Sequence, residues 1–340
     1  MKRKNIVSAM IFLVLVALTF YAILKGNDMG EVAVAVQELQ KGYLIAAIVA
    51  AIFFVAMEGT MIWYLMRGLQ EPVVWRRCIG YSFVGFFYSG ITPSATGGQP
   101  MQLYYMQKDG HKVSNSTVVL MTVAVIYKFV LVVLGAGILL FYHAPLKEYL
   151  KSYMYLYYLG LLLNVVLVAV LLFVMISPNC FKGIVTGGEK LLKKIKLLKH
   201  SEERTEKLIK MADQYHEAIL FFGKNKGKIV VVIVGTLLQR CSVFFMTWLV
   251  YRGMGMSGQN MLTVMILQAS VYIAVDMLPL PGAQGITEMM YKTVFAQIFP
   301  GAYLAASMCV TRGLNFYFLL IVSAVVALWR HCRQSDTLRQ

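Results

Sequence analysis

Seven charged side chains stand within or beside long apolar runs of the sequence: Glu58, Lys128, Arg240, Asp276, Glu288, Lys292 and Arg312. An unpaired charge at the centre of a bilayer costs roughly 2.5–3.5 kcal/mol on insertion scales. We therefore expect these side chains to face the protein interior or a watery cavity. For any single cation and carboxylate, an ion pair that only fixes the packing of helices is the alternative.

Three of these cations are predicted to bind an anionic headgroup. Arg240 and Arg312 suit phosphate because a planar guanidinium can make two parallel hydrogen bonds to its oxygens. Lys128 would add a compact positive charge to the same pocket. Three carboxylates are predicted to balance the charge of the empty pocket or to relay protons: Glu58, Asp276 and Glu288.

Two segments rich in proline and glycine interrupt the apolar runs. One is TPSATGGQP, from Thr92 to Pro100, and the other is PLPGAQG, from Pro279 to Gly285. Such clusters cannot continue a helix, and amides exposed at a break can bind phosphate. The headgroup-binding residues predicted in the first segment are Thr92, Ser94, Thr96, Gly97, Gly98 and Gln99. The predicted broken-helix turns contain Pro93, Pro100, Pro279, Pro281, Gly282 and Gly285. Turns that merely reverse the chain are the alternative.

The composition places these residues in a membrane protein. Of 340 residues, 59% are hydrophobic and 14% are charged, whereas soluble domains carry about 25% charged residues. Lipid is the solvent that accepts such an apolar excess. The apolar runs, most of them long enough to span a bilayer, are 6–24, 43–66, 78–92, 114–142, 153–176, 229–251, 261–280 and 302–329.

The distribution of lysine and arginine predicts the topology. With the N-terminus inside, 23 of the 32 basic residues lie inside, five lie outside and four lie at membrane depth, which satisfies the positive-inside rule. This count requires the segment 78–112 to enter the membrane from the inside and return to the inside. It requires the segment 261–299 to enter from the outside and return to the outside.

We therefore predict an all-α polytopic membrane protein with six spanning helices, two re-entrant helical hairpins and an inverted repeat. Both termini are expected in the cytoplasm and the protein in a bacterial plasma membrane. Eight ordinary helices with proline kinks are the alternative.

Residues 1–340 are predicted to form one transmembrane domain with a basic insertion at 182–226. Within the insertion, Leu191, Leu192, Ile195 and Leu198 share one helical face that lysines surround. This pattern predicts an amphipathic helix on the anionic inner leaflet. A solvated helical hairpin that joins the two halves of the chain is the alternative.

The motifs of several function classes are missing from the sequence. It contains no Walker A, HExxH or GxSxG motif, so we expect no catalytic residue and no ATP-driven step. The five cysteines form no CxxC pair and accompany no histidine cluster, so no metal and no cofactor is expected. Nucleic acid is not an expected partner, because the basic residues flank apolar runs.

With these residues in view, the chain resembles the lysylphosphatidylglycerol synthase transmembrane family, the flippase-like membrane region of the multiple peptide resistance factor. The resemblance covers nearly the whole chain. It rests on P-x-x-x-G-G-x-P from Pro93 to Pro100, and on P-x-P-G-x-x-G-x-x-E from Pro279 to Glu288.

The resemblance implies translocation of an anionic or aminoacylated phospholipid such as lysyl-phosphatidylglycerol, or of a polyprenyl-phosphate glycolipid, and hence a link to cationic peptide resistance. The alternative is phosphatidylglycerol lysyltransferase activity, using lysyl-tRNA. Because the chain ends at Gln340, we expect that activity to need a separate soluble aminoacyltransferase or other lipid-modifying partner. A scaffold that recruits enzymes through 182–226 is a third hypothesis. The spacing of Gly85 and Ser89 is compatible with a homo-oligomer.

Overall fold

The computed structural model describes residues 29–92, 95–177, 183, 219–220, 223–278, 283 and 285–337. These residues form helices joined by short turns, with no strand among them, which confirms the prediction of an all-α fold. The predicted first crossing, 6–24, and most of the predicted insertion, 182–226, lie outside the described residues. So do Pro93, Ser94, Pro279, Pro281 and Gly282.

The described helices follow one another in this order: α1 (Met29–Gln37), α2 (Lys41–Gly68), α3 (Trp75–Gly90), α4 (Gly98–Lys108), α5 (Val113–Leu150), α6 (Met154–Ile176), α7 (Lys226–Gly253), α8 (Met261–Val275), α9 (Ile286–Phe295), α10 (Ala302–Arg312) and α11 (Leu319–Thr337). A 3₁₀ turn, Lys151–Tyr153, joins α5 to α6. A π-helical turn, Gly313–Phe318, joins α10 to α11.

Four described stretches are long and apolar enough to cross a membrane: Lys41–Gly68, Val113–Phe173, Lys226–Gly253 and Ala302–His331. The second stretch has 61 residues, whereas about 20 suffice for one crossing. It contains two crossings, because α5 and α6 pack side by side and Tyr157 donates a hydrogen bond to the Gly135 carbonyl at 2.9 Å. Five of the six predicted crossings therefore fall on described helices.

The last part of α5 bends at Tyr142, where the backbone leaves helical geometry (φ −133°, ψ 19°). Pro145 lies three residues further on. A proline inside a helix removes one backbone hydrogen bond and clashes with the preceding turn. The predicted crossing 114–142 ends at this bend.

Helices α3 and α4 fold back on each other and form the first hairpin. A Cβ atom added to Gly98 would lie 2.1 Å from the Ser89 Oγ, and one added to Gly85 would lie 2.2 Å from the Gln102 Nε2. The two arms can approach this closely because both positions are glycine. The small residues Gly85 and Ser89 therefore serve the packing of the hairpin itself.

Helices α8 and α9 form the second hairpin, which packs on α6 through another glycine. A Cβ atom added to Gly160 would lie 2.4 Å from the Ile273 carbonyl oxygen. Helix α8 has 15 residues and α9 has 10. At a rise of about 1.5 Å per residue, neither arm can span a hydrocarbon core of about 30 Å.

The two hairpins enter the helix bundle from opposite ends. Helices α2 and α7 are antiparallel, since Gln40 bonds the Gly253 carbonyl while Gly68 contacts Lys228 at the other end. The base of the first hairpin adjoins the end that contains Gly68 and Lys228, and there Arg330 contacts Asp109 at 2.7 Å. The base of the second hairpin adjoins the end that contains Gln40 and Gly253, and there the Gln259 amide donates to the Tyr251 hydroxyl. This is the opposed arrangement that the sequence predicts.

Positive charge is concentrated at the end that carries the base of the first hairpin, here called the basic end. Its described cations include Arg67, Arg76, Arg77, Lys108, Lys112, Lys224, Lys226, Lys228 and Arg330. The described cations of the opposite end are Lys41, Lys147, Lys151 and Arg252. The placement of the basic end in the cytoplasm stays a prediction.

Replacing Gly59 with alanine should lower the melting temperature of the detergent-solubilised protein. The added Cβ would lie 2.5 Å from the Cα atom of Ile79, and overpacking of this kind costs about 1–3 kcal/mol. Gly137→Ala is the matched control, because no atom lies within 4 Å of its added Cβ. It should be neutral or stabilise by up to about 1 kcal/mol. Equal melting temperatures for the two variants would contradict the close contact of α2 with α3.

Candidate functional site

Described residues beside the turns of both hairpins line one cavity of about 200 Å³. The first hairpin contributes Ser89, Gly90 and Ala95 to its lining, and the second contributes Asp276, Leu278, Ala283 and Thr287. The remaining wall is largely apolar and includes Phe54 of α2, Val243 of α7, Arg312 of α10, and Asn315 and Phe316 of the π turn. Two broken helices and a buried arginine thus surround a single space.

Arg312 pairs with Glu288 at one side of the cavity. The Nε atom of Arg312 donates to the Glu288 Oε1 at 2.7 Å, and both residues are less than a tenth exposed. The other carboxylate oxygen of Glu288 accepts a hydrogen bond from the Gly285 amide at 2.6 Å. Gly285 has a φ of 84°, a conformation that favours glycine. Glu288 therefore caps the start of α9 and neutralises Arg312 at once.

Lys128 and Asp276 form a second ion pair at the other arm of the same hairpin. Asp276 directly follows the last residue of α8, where unpaired carbonyls make a carboxylate unfavourable. Lys128 offsets that repulsion, and the Tyr127 hydroxyl donates to the Asp276 Oδ1 at 2.6 Å. A cation from a neighbouring helix thus fixes each end of the hairpin tip.

Arg240 is buried behind the cavity wall and is not part of its lining. Its guanidinium carbon lies 3.8 Å from the ring centre of Tyr127 and 4.7 Å from that of Phe54. Its Nη1 lies 3.3 Å from the Tyr272 hydroxyl, which it can donate to. Stacking on aromatic faces accommodates a buried guanidinium. Phe54 and Tyr272 contact Arg240 and also line the cavity, so they separate Arg240, which was predicted to bind the headgroup, from that space.

Glu58 ties the first hairpin to α2. Its Oε1 accepts a hydrogen bond from the Gln102 Nε2 at 2.6 Å, and Arg240 interacts with it electrostatically. Glu58 lies outside the cavity lining, as does Lys292 on α9. Among the predicted charges, Arg312 and Asp276 are those that line the cavity.

The turn of the first hairpin is held by Thr92. Its hydroxyl donates to the Tyr88 carbonyl at 2.6 Å and accepts from the Gly97 amide at 2.9 Å. The Gly97 amide is thereby used inside the turn. Of the predicted segment 92–100, Ala95 is the described residue that lines the cavity. Binding of a headgroup by Thr96, Gly98 or Gln99 stays a prediction.

Comparison with known protein families identifies the family of this chain. A family model described as the lysylphosphatidylglycerol synthase TM region matches residues 5–323. The chain belongs to that family. The match confirms the resemblance found in the sequence, and it includes both hairpins and every residue that lines the cavity. No curated protein matches the chain.

Membership of the lysylphosphatidylglycerol synthase TM region family, together with the apolar helices, identifies a multi-pass membrane protein with a role connected to membrane lipids. In this family member the π turn follows Arg312 directly. Isolated π turns occur frequently at functional sites. Arg312 and two residues of the turn, Asn315 and Phe316, line the same cavity.

Sequence reasoning missed the neutral polar residues of the site. The cavity is also lined by Gln268 of α8 and Asn315 of the π turn, together with hydroxyl-bearing Ser89, Thr287, Tyr291 and Thr311. A signal for the two amides was present, because each stands within an apolar run and Asn315 lies three residues after Arg312. Polar residues in such runs usually face the bundle interior.

Breaking the Lys128–Asp276 pair from one side should destabilise the protein more than removing both charges. Lys128→Met leaves a buried carboxylate and Asp276→Asn leaves a buried ammonium, and an uncompensated charge of this kind costs about 3–5 kcal/mol. The double variant Lys128→Met/Asp276→Asn should recover part of that loss. Thermal unfolding in detergent measures the loss of stability in each variant. If the losses of the two single variants sum to the loss of the double variant within about 0.5 kcal/mol, the ion pair is contradicted.

Proposed function

We propose that this protein translocates a phospholipid headgroup across the plasma membrane through the cavity between the two hairpin tips. The observation that carries the proposal is the meeting of two opposed broken helices at a space that contains Arg312. Transporters commonly bind substrate where discontinuous helices meet near the bilayer midplane. Membership of a lipid-related membrane family supports lipid as the substrate.

The size of the cavity favours a headgroup over a whole lipid. Its volume is about 200 Å³, below the roughly 300–1,000 Å³ of pockets that hold drug-sized ligands. A space of this size suits a lipid headgroup and not two acyl chains. The chains would therefore stay in the surrounding lipid while the headgroup passes.

Arg312 is the residue proposed to bind the phosphate. Glu288 accepts a hydrogen bond from its Nε, and a phosphate that enters the cavity would compete with this carboxylate for the guanidinium. Arg240 and Lys128 would add positive potential from behind the wall. Asp276 and Glu288, with Glu58 behind them, balance these charges when no lipid is bound.

Substrate binding would also loosen the second hairpin. Its tip is held between the pairs Lys128–Asp276 and Arg312–Glu288, and Glu288 in addition caps α9. Displacement of Glu288 from Arg312 weakens one of the two anchors. The tip can then change position, which is the kind of motion that alternating access requires.

The proposed substrates are anionic or aminoacylated phospholipids such as lysyl-phosphatidylglycerol, or polyprenyl-phosphate glycolipids. With the basic end in the cytoplasm, the anionic inner leaflet would lie beside the base of the first hairpin. Movement of an aminoacylated lipid outward would lower the negative charge of the outer surface. Resistance to cationic peptides would follow from that change.

Removing the Arg312–Glu288 pair should abolish translocation while the protein still folds. The variant Arg312→Met/Glu288→Gln loses the phosphate ligand without leaving one buried charge unpaired. A matched control is Arg330→Met/Asp109→Asn, which removes a buried pair at the basic end, where Arg330 and Asp109 are 2.7 Å apart. Proteoliposomes that contain fluorescent phosphatidylglycerol or its lysyl form are treated with a quencher that bleaches the outer leaflet.

Wild type and the control variant should bleach well beyond half of the fluorescence, and the Arg312 variant should stop near half. If the wild-type protein allows only about half of the fluorescence to be bleached for every lipid, including a polyprenyl-phosphate glycolipid, the proposal is wrong. Formation of lysyl-lipid from lysyl-tRNA and phosphatidylglycerol by the purified chain would favour the transferase instead.

A further inference from the structure

Glu58 differs from the other two carboxylates at membrane depth in its lack of an ion pair. It lies about 5 Å along the axis from the middle of α2, at a rise of about 1.5 Å per residue. Asp276 and Glu288 are each paired with a cation, whereas no basic nitrogen of the described residues lies within 4.0 Å of the Glu58 carboxylate. An ionised carboxylate is costly in such a position, and carboxylates in membranes often carry protons.

The hydrogen-bond partner of Glu58 belongs to the first hairpin. The Gln102 Nε2 on α4 donates to the Glu58 Oε1 at 2.6 Å. The Gln102 side chain passes Gly85 of α3, where an added Cβ would lie 2.2 Å from its Nε2, so the lack of a side chain at Gly85 lets α4 reach α2. A hydrogen bond to an ionised acceptor is about twice as strong as a neutral one. Binding of a proton by Glu58 would therefore weaken its hold on the hairpin.

Arg240 on α7 is the charged group that acts on Glu58 from the neighbouring helices. Opposite charges attract across the space between them, yet Arg240 is stacked on aromatic rings and forms no salt bridge with this carboxylate. Among the described residues of α3, α5 and the π turn, which also pack against α2, none adds a charge that acts on Glu58. A neutral amide and a cation out of contact leave the carboxylate able to exchange a proton.

The same arginine connects Glu58 to the second hairpin. The Arg240 Nη1 lies 3.3 Å from the Tyr272 hydroxyl, which lies 2.9 Å from the Tyr127 hydroxyl. Tyr127 in turn donates to the Asp276 Oδ1 at 2.6 Å, and Asp276 lines the cavity. Loss of the negative charge on Glu58 would leave more of the potential of Arg240 to act on this end of the cavity.

We propose that Glu58 binds and releases a proton in each transport cycle, so that lipid translocation is coupled to the proton gradient across the membrane. This inference rests on the proposed function, because it names the energy source of the same cycle. The proton would bind the carboxylate from one side of the membrane and leave to the other. The ionised form holds the first hairpin through Gln102, and the protonated form loosens it, as displacement of Glu288 from Arg312 loosens the second.

The distribution of phosphatidylglycerol between the leaflets at steady state tests the coupling. Proteoliposomes with the full chain and fluorescent phosphatidylglycerol receive a pH difference of about one unit, which is worth about tenfold for one proton per lipid. Potassium and valinomycin hold the membrane potential at zero. The phosphodiester of this probe stays ionised near neutral pH, so the gradient does not move it unaided. The rapid first phase of bleaching measures the lipid in the outer leaflet.

In wild type the ratio between the leaflets should shift from equality toward about tenfold and should invert when the gradient is reversed. The sign of the shift distinguishes cotransport of proton and lipid from exchange. Glu58→Gln keeps an acceptor for Gln102 but cannot exchange a proton, so its leaflets should stay equal. Glu71→Gln is the matched control, because Glu71 also accepts from a side-chain amide, that of Asn115 at 2.7 Å, but follows α2 at the basic end. It should respond as wild type does.

Chemical labelling tests proton binding in the wild-type chain and does not depend on the folding of a variant. Dicyclohexylcarbodiimide is an apolar reagent that modifies protonated carboxylic acids. The acid gives its proton to a carbodiimide nitrogen, its oxygen bonds to the central carbon, and rearrangement yields a stable acylurea that peptide mass spectrometry locates. Glu58 should be labelled more strongly as the pH is lowered, and the ion-paired Asp276 and Glu288 should react less.

Equal leaflets in wild type under both gradients would overturn the coupling. An unchanged gradient response in Glu58→Gln, or labelling of Glu58 that is absent or independent of pH, would remove Glu58 as the proton site. These failures differ from failure of the proposed function. A wild type that equilibrates lipid between the leaflets without responding to the gradient loses only the coupling, and one that moves no lipid under any gradient loses translocation and coupling together.

Discussion

A chain that stops being helical inside a bilayer must satisfy its freed backbone groups without water, and the site depends on how this chain does so. Glu288 binds the Gly285 amide at the start of α9. In the first turn, the Thr92 hydroxyl binds the Tyr88 carbonyl on one side and the Gly97 amide on the other. The Glu288 carboxylate that satisfies the Gly285 amide is buried and therefore requires a cation, which Arg312 supplies. Glu288 thus joins the backbone at the start of α9 to Arg312, the proposed phosphate ligand.

The fold was largely predictable because its strongest constraints are local in sequence. Apolar runs set the crossings, Pro/Gly clusters set the breaks, and the asymmetry of lysine and arginine required the hairpins to enter from opposite ends. The π turn at Gly313–Phe318 was not predictable, since the run 302–329 carries the pattern of one regular helix.

The site was predictable in its charges and less so in their arrangement. The cost of a buried charge marks Lys128 and Asp276 in the sequence, but 148 residues separate the two partners, and nothing local pairs them. Arg240 was expected at the cavity, whereas aromatic rings enclose it behind the wall. Asn315 was missed because a neutral amide is cheaper to bury than a charge and gives a weaker signal.

The π turn also has a mechanical consequence. An α-helix rotates by about 100° per residue, so a stretch with wider turns offsets the packing face of α10 from that of α11. Helix α10 rests against α9 of the second hairpin, while α11 rests against α3 of the first. One continuous helical stretch, Ala302–His331, therefore contacts both hairpins, so a rotation of that stretch about its axis would displace both of them.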